Sequence, residues 1–160
     1  MNSSVSVREA AIEDVPAILG LIRELAAFEN LSDAVQADEA TLREHGFGPD
    51  PRFKVLLAEA DGVAIGFLSY MIRYSIWGGS EFINLDDLFV SERARGSGVG
   101  RLLMRRMAEI ALEKAMPVRW ELLPGNARAK TFYEALGAKI SEKLIARWET
   151  DAMGSLCARP

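Results

Sequence analysis

LDDLFVSERARGSGVGRLLMRRM, from Leu85 to Met107, is the stretch whose reading decides the fold. Its first residues, with Phe82 and Ile83 just before them, are the aromatic and aliphatic types that suit a buried β-strand. Asp86 and Asp87 interrupt that apolar run. Neighbouring strand residues point to opposite faces, so alternation predicts one carboxylate on each side, with at least one of them buried. Arg95-Gly96-Ser97-Gly98-Val99-Gly100-Arg101 follows, and then Val99, Leu103, Met107 and Ile110 recur at helical spacing. Strand, glycine loop and helix together are the layout of an anion site. Glycines let the backbone approach a phosphate, and a helix start offers unpaired N–H groups at its positive dipole end. The glycine spacing is neither that of a dinucleotide-binding loop nor that of a Walker loop. A bare G-x-G-x-G suits a ligand-free turn; the flanking Arg95 and Arg101, the strand before and the helix after favour a phosphate site.

Outward from this stretch, the rest reads as one compact domain over residues 1–160. With 49% hydrophobic residues the chain can bury roughly two-thirds of its unfolded surface. No apolar run is long enough to cross a bilayer, and the first residues do not read as a signal peptide. The single cysteine, Cys157, excludes an intrachain disulfide, points to a reducing cytoplasm and reads as a bystander. A net charge of −4 argues against a nucleic-acid partner and mildly favours a cationic substrate.

Val5 to Arg8 suits a short strand, followed by a helix to about Phe28 with Pro16 in its first turn. A second helix is expected from Asp38 to His45, ending at Gly46, with His45 a surface residue at its C-terminus. Glu29, Asp33, Asp38 and Glu39 fit either a cation site or, more commonly, a solvated face. Phe53–Ala60 and Val63–Ile72 are expected strands joined by Asp61-Gly62, a strong hairpin signal. Trp77, beside Gly78 and Gly79, fits a packed corner and a ligand-pocket wall equally. Past the central helix, Val118–Leu123 reads as a strand, Pro124-Gly125-Asn126 as a break, Ala127–Leu136 as a helix capped by Gly137, and Leu144–Thr150 as a closing strand. The order β-α-α-β-β-β-α-β-α-β predicts an α/β fold: a mixed, mostly antiparallel central sheet with helices on both faces.

Two motifs carry a family resemblance. Arg95, Gly98 and Gly100 satisfy the Arg/Gln-x-x-Gly-x-Gly/Ala pattern of the acetyl-CoA site in the GNAT N-acetyltransferase superfamily. Asn126 to Ala138, NARAKTFYEALGA, resembles that superfamily's second signature, an Asn before a helix that carries Phe-Tyr and ends in Leu-Gly. Arg23-Glu24-Leu25-Ala26 with Phe28-Glu29, Gly46-Phe47-Gly48, Tyr74-Ser75-Ile76-Trp77 and Leu85 to Val90 are similar to the spermidine/spermine and thialysine acetyltransferase branch. The likeness runs from Val7 to about Trp148.

The resemblance implies a single GNAT-like domain that moves an acetyl group from acetyl-CoA to a primary amine by direct attack, without a metal. It implies a small cationic amine as substrate, polyamine or lysine-like amino acid, and a cytoplasmic homodimer with no nucleic-acid or membrane partner. The strand backbone at Leu88, Phe89 and Val90 would pair with the pantetheine arm. Arg95, Gly96, Ser97, Gly98, Val99, Gly100 and Arg101 would hold the pyrophosphate, and Asn126 would contact the cosubstrate. Tyr133, whose phenol has an unperturbed pKa of about 10, would protonate the departing thiolate. Asp86, with Phe28, Glu29 and Trp77, would face the amine and relay its proton. This chain departs from the branch at Asp86, where a glutamate is usual, and at Gly125, where a tryptophan precedes the asparagine. Both departures concern the amine end. Acetylation of a protein or peptide amine and a non-catalytic CoA-binding module are the alternatives.

Overall fold

The structure is a computed structural model that describes residues 4–158. The chain falls into two compact units, one ending at Glu121 and one beginning at Leu122. The first contains β1 (Val5–Glu9), α1 (Val15–Phe28), α2 (Glu39–Phe47), β2 (Lys54–Ala60), β3 (Val63–Ser75), β4 (Ser80–Val90), α3 (Val99–Glu113) and β5 (Val118–Arg119). Its five-stranded sheet has the order β1-β2-β3-β4-β5. Neighbours are antiparallel except β4 and β5, which are parallel.

Helices on both faces explain why β2 and β3 read as nearly unbroken apolar runs rather than as strict alternation. Leu56, Leu68, Ile83 and Leu85 face one way and pack with Leu103 and Met107 of α3. Val55, Leu57, Phe67 and Phe89 face the other way and pack with Ile18 of α1 and Leu42 of α2. The β2–β3 hairpin turns at Asp61 (φ 51°) and Gly62 (φ 76°), the positive-φ pair of a type I′ turn. The expected stop of α2 at Gly46 is displaced, and the helix runs on to Phe47. Gly46 serves packing instead: a Cβ there would lie 2.7 Å from the Phe53 ring.

In the second unit, α4 (Ala127–Ala135) starts at the Asn126 cap, whose Oδ1 accepts from Ala129 N–H at 3.0 Å. It ends with Gly137 N–H on Glu134 C=O (2.9 Å) and Ala138 N–H on Tyr133 C=O (3.1 Å), the paired bonds of a Schellman stop. Two expectations fail, one at the end of the first unit and one in the second. Only Val118 and Arg119 of the Val118–Leu123 segment pair as a strand. Leu144–Thr150 is not a strand at all: it has no ladder partner among the described residues, and the chain instead enters α5 (Thr150–Cys157). Leu144 and Ile145 are exposed, so the apolar pattern that suggested a strand is not buried on any face within this unit. A strand is a pairing, and residue type alone cannot supply the partner.

Arg8 ties three segments of the first unit. It donates to both Asp14 oxygens (2.7 and 2.9 Å) and to both Glu59 oxygens (2.7 and 2.9 Å), joining β1, the turn before α1 and β2. The Arg8 hydrogen bonds hold the Asp14 carboxyl below the usual aspartate range. A depressed carboxyl stabilises the fold above its unfolded pKa, and that contribution is lost as pH falls through the folded value. Arg8→Met is therefore expected to lower stability by about 1 kcal/mol at pH 7, discounted for solvent screening. Urea titrations should show this gap closing as the pH is lowered below the ordinary aspartate range; a gap independent of pH would refute the ion-pair account.

Candidate active site

The decisive local feature is a break in the β3–β4 ladder. Ser69 pairs with Asp87 and Tyr70 with Leu85, which leaves Asp86 as an extra residue on β4. This β-bulge cancels the alternation assumed from sequence. Asp86 and Asp87 do not divide between the two faces: both line one cavity of about 160 Å³ on the α1/α2 side, with Ile22, Phe53, Ser69 and Met71 among its walls. Asp86 is exposed and Asp87 half-buried.

Ser69 holds Asp87 in place. Its hydroxyl donates to Asp87 Oδ2 at 3.2 Å and accepts from Asp87 N–H at 3.1 Å. Burial, chiefly, pushes the Asp87 carboxyl above the usual range; the charges of Asp86 and Glu29 push the same way, and the Ser69 bond partly offsets them. Glu29, at the end of α1, is thus electrostatically part of the site although its own side chain is exposed. Phe28 has another partner: the Arg95 guanidinium stacks over its ring at 4.1 Å. Trp77 stands fully exposed in the β3–β4 turn, outside the cavity walls.

From Leu85 onward, one backbone edge of β4 has no ladder partner among the described residues. β5 pairs with Ile83 and Asn84 and no further, so among those residues Leu88, Phe89 and Val90 are laddered only to β3. The chain then passes through a short 3₁₀ turn at Glu92–Ala94 into the glycine loop. Gly96 (φ 80°) and Gly98 (φ 85°) adopt the left-handed region, and Gly98 caps α3. A Cβ on Gly98 would meet no protein atom within 4 Å, so the loop opens onto unfilled space. Ser97 Oγ donates to Ala94 C=O (2.6 Å), and Arg95 Nε donates to Val90 C=O (3.1 Å). Arg95 is therefore a brace between loop, strand and α1 rather than a loose charge. Val99 turns its side chain into the core, leaving its backbone at the helix start, and Gly100 and Arg101 complete the first turn.

Asn126 and Tyr133 belong to the second unit. Asn126 is the α4 cap described above, and Tyr133 is buried, with its ring edge-on to Phe132 at 5.2 Å. Burial raises the Tyr133 phenol above its ordinary pKa, so it is a protonated donor at neutral pH. No group of three or more His, Cys, Asp or Glu side chains is arranged to hold a metal among the described residues. No helix among them is long and apolar enough to cross a membrane. Sequence reading missed Ser69 and the role of Asp87. A lone serine in the apolar run Gly66 to Met71 is a weak signal, and nothing in the sequence announces the bulge.

Residues 20–138 match the model of the acetyltransferase (GNAT) family. A thialysine N-epsilon-acetyltransferase of Bos taurus is 41% identical, with 97% of this chain and 98% of that protein covered. Among solved structures, an integron cassette protein of V. cholerae superposes with a TM-score of 0.79 at 27% identity, covering 98% of this chain and 99% of that one. An aminoglycoside N-acetyltransferase in complex with CoA superposes with a TM-score of 0.76 at 21% identity, covering 94% and 97%.

Because the folded state raises the Asp87 pKa, its ionisation works against folding. The stabilising effect of a neutral carboxyl is full at low pH and is lost as pH rises through the folded value. Asp87→Asn keeps an acceptor for Ser69 and should raise the melting temperature at pH 7. At pH below the ordinary aspartate range it should leave the melting temperature unchanged. A lower melting temperature at pH 7 would show that the charged form is the one the fold favours.

Proposed function

The chain belongs to the GNAT acetyltransferase family and is an N-acetyltransferase; on that premise we propose that it transfers the acetyl group of acetyl-CoA to the primary amine of a small cationic substrate, a polyamine or a lysine-like amino acid. The observation that carries this reading is the bulge at Asp86, which sets two carboxylates in an apolar cavity on the strand that leads into the glycine loop.

An amine with a pKa near 10 is mostly protonated at neutral pH and must lose a proton before it attacks. The carboxylates draw the ammonium in, and apolar walls such as Ile22 and Met71 suit its methylenes. Asp87, whose proton affinity burial raises, takes the proton, and the exposed Asp86 passes it toward solvent. The open edge of β4 at Leu88–Val90 offers backbone groups to the pantetheine arm and a donor to the developing oxyanion. The N–H groups of residues 96–101, with Arg101 beside them, suit the pyrophosphate. Tyr133 is the acid for the departing thiolate and Asn126 a cosubstrate contact; the family signature supports both roles. The amine attacks the thioester in a ternary complex, with Phe28 and Glu29 at the margins of the amine site. The reaction needs no metal, and activity is expected to survive exhaustive chelation.

The proposal includes a cytoplasmic homodimer. Tyr74, Ile76 and Trp77 are exposed together at one turn, a surface that a second copy would cover. Light scattering at micromolar concentration tests this, and a monomeric mass overturns it. For the reaction itself, the test is a panel of amines with acetyl-CoA, read by release of the CoA thiol. Short alkyl amines with a free ammonium should react. Acetylation of peptide amines alone, or binding of acetyl-CoA without turnover, would overturn the reading.

Tyr133→Phe removes only a hydroxyl. Turnover should fall by roughly 10²-fold while acetyl-CoA affinity, measured by calorimetry, stays within a factor of about two. Near-normal turnover would show that another group protonates the thiolate.

A further inference from the structure

Beyond the carboxylates, the same sheet face carries an opposite charge. Met71 lines the cavity, and β-strand alternation puts Arg73 on Met71's face. Arg73 pairs with Phe82, and Asn84, the partner of Met71, is also the β5 ladder partner of Arg119. The two guanidiniums meet on one ring: Arg119 stacks over Phe82 at 4.4 Å and Arg73 approaches it at 6.0 Å. Neither arginine is within ion-pair distance of a carboxylate among the described residues, although the chain forms six such pairs elsewhere among them. Two like charges gathered at one aromatic ring, neither with an acid at ion-pair distance, form a cationic patch suited to an anion.

We propose that Arg73 and Arg119, seated on Phe82, bind the carboxylate of an amino-acid substrate whose side-chain amine lies at Asp86 and Asp87. This rests on the acetyl-transfer reading above and selects between its two substrate classes. A guanidinium stacked through its face keeps its in-plane N–H edge available, the geometry that grips a carboxylate through paired hydrogen bonds. Ser69, opposite Asp87, and Arg73 are four residues apart on β3, about 13 Å at roughly 3.3 Å per residue. That span suits an extended lysine-like chain with a hydrogen bond at each end. The site then has a polarity, negative where the amine reacts and positive at the far end. A diamine of the same length would bring its second ammonium against the arginines, and that arrangement is disfavoured.

The experiment compares L-lysine with cadaverine, the same chain without the carboxylate, using acetyl-CoA and thiol release. The unmodified protein should favour lysine in kcat/KM. Arg119→Gln and Arg73→Gln should each lower the lysine-to-cadaverine ratio by roughly 10-fold or more, mainly through the KM of lysine. Arg119→Lys should recover part of it. A merely structural role would depress both substrates together and leave the ratio unchanged, and that result overturns the proposal while acetyl transfer stands. A wild-type preference for cadaverine overturns it as well. If the unmodified protein acetylates no amine at all, the functional reading itself falls, and this subsite with it.

Discussion

One inserted residue governs the chemistry this fold can support. Without the bulge at Asp86, the β3–β4 ladder would alternate strictly and one aspartate would turn toward α3, into the layer of Leu68, Leu85 and Met107. An unpaired carboxylate there would be expensive to bury, and the opposite face would hold one acid instead of two. With the bulge, Leu85 stays in the α3 core and both acids share the cavity on the α1/α2 side. The bulge falls just where β5 parts from β4, after Asn84. A strand kinked by an extra residue also twists, and the same stretch thus presents two carboxylates to one side and an unladdered backbone edge to its neighbour.

The electrostatics follow from that placement. Asp87 is desolvated and lies beside Asp86, with Glu29 adding its charge, so the apo site carries like charges that oppose one another. A bound cation would relieve this, which is the electrostatic basis of the proposal. Ser69 keeps the arrangement from collapsing: by both donating to and accepting from Asp87, it fixes the carboxyl relative to the β3 backbone. At the other end of β4, Arg95 bridges Val90 and Phe28, and the Ser91 hydroxyl donates to Glu24 at 2.6 Å. The glycine loop and α1 are thereby held by the same strand that carries the acids.

Much of this was legible in the sequence. The strand–glycine–helix order around Gly96, Gly98 and Val99 announced the turn between β4 and α3, Asp61-Gly62 the hairpin, and helical spacing α1 and α3, because each is a local pattern with a local cause. What escaped was non-local. A bulge depends on the register between two strands, and the side of the sheet on which Asp87 lies depends on the bulge. The open edge of β4 depends on where β5 stops pairing, and residue types alone suggested a strand to Leu123 rather than to Arg119. Leu144–Thr150 failed for the same reason, since its composition is strand-like and its pairing is absent. Trp77 shows the converse: its aromatic character fitted a packed corner or a pocket wall, and the turn that carries it leaves it in solvent.

The departures from ordinary packing in the first unit cluster around the same point. Asp87 is a half-buried acid, Asp86 an unpaired ladder residue, and the buried Tyr70 hydroxyl, next to Ser69, has no hydrogen-bond partner among the described residues. A buried hydroxyl left in this way costs about 1–3 kcal/mol, and a desolvated carboxylate adds to that. Such costs are tolerated where the surroundings over-determine the geometry. Here the two apolar layers do so, with Leu56, Leu68 and Ile83 on one side of the bulge and Leu57, Phe67 and Phe89 on the other, all buried. Core residues are buried on both faces, and although β2 and β3 also shift register at Ala58 and Glu59, the half-buried acid and the unpartnered hydroxyl lie where β3 and β4 fall out of register. A defect so localised, with two like charges against an apolar wall, is what the proposed amine site would require, and it is not the scatter expected of loose folding.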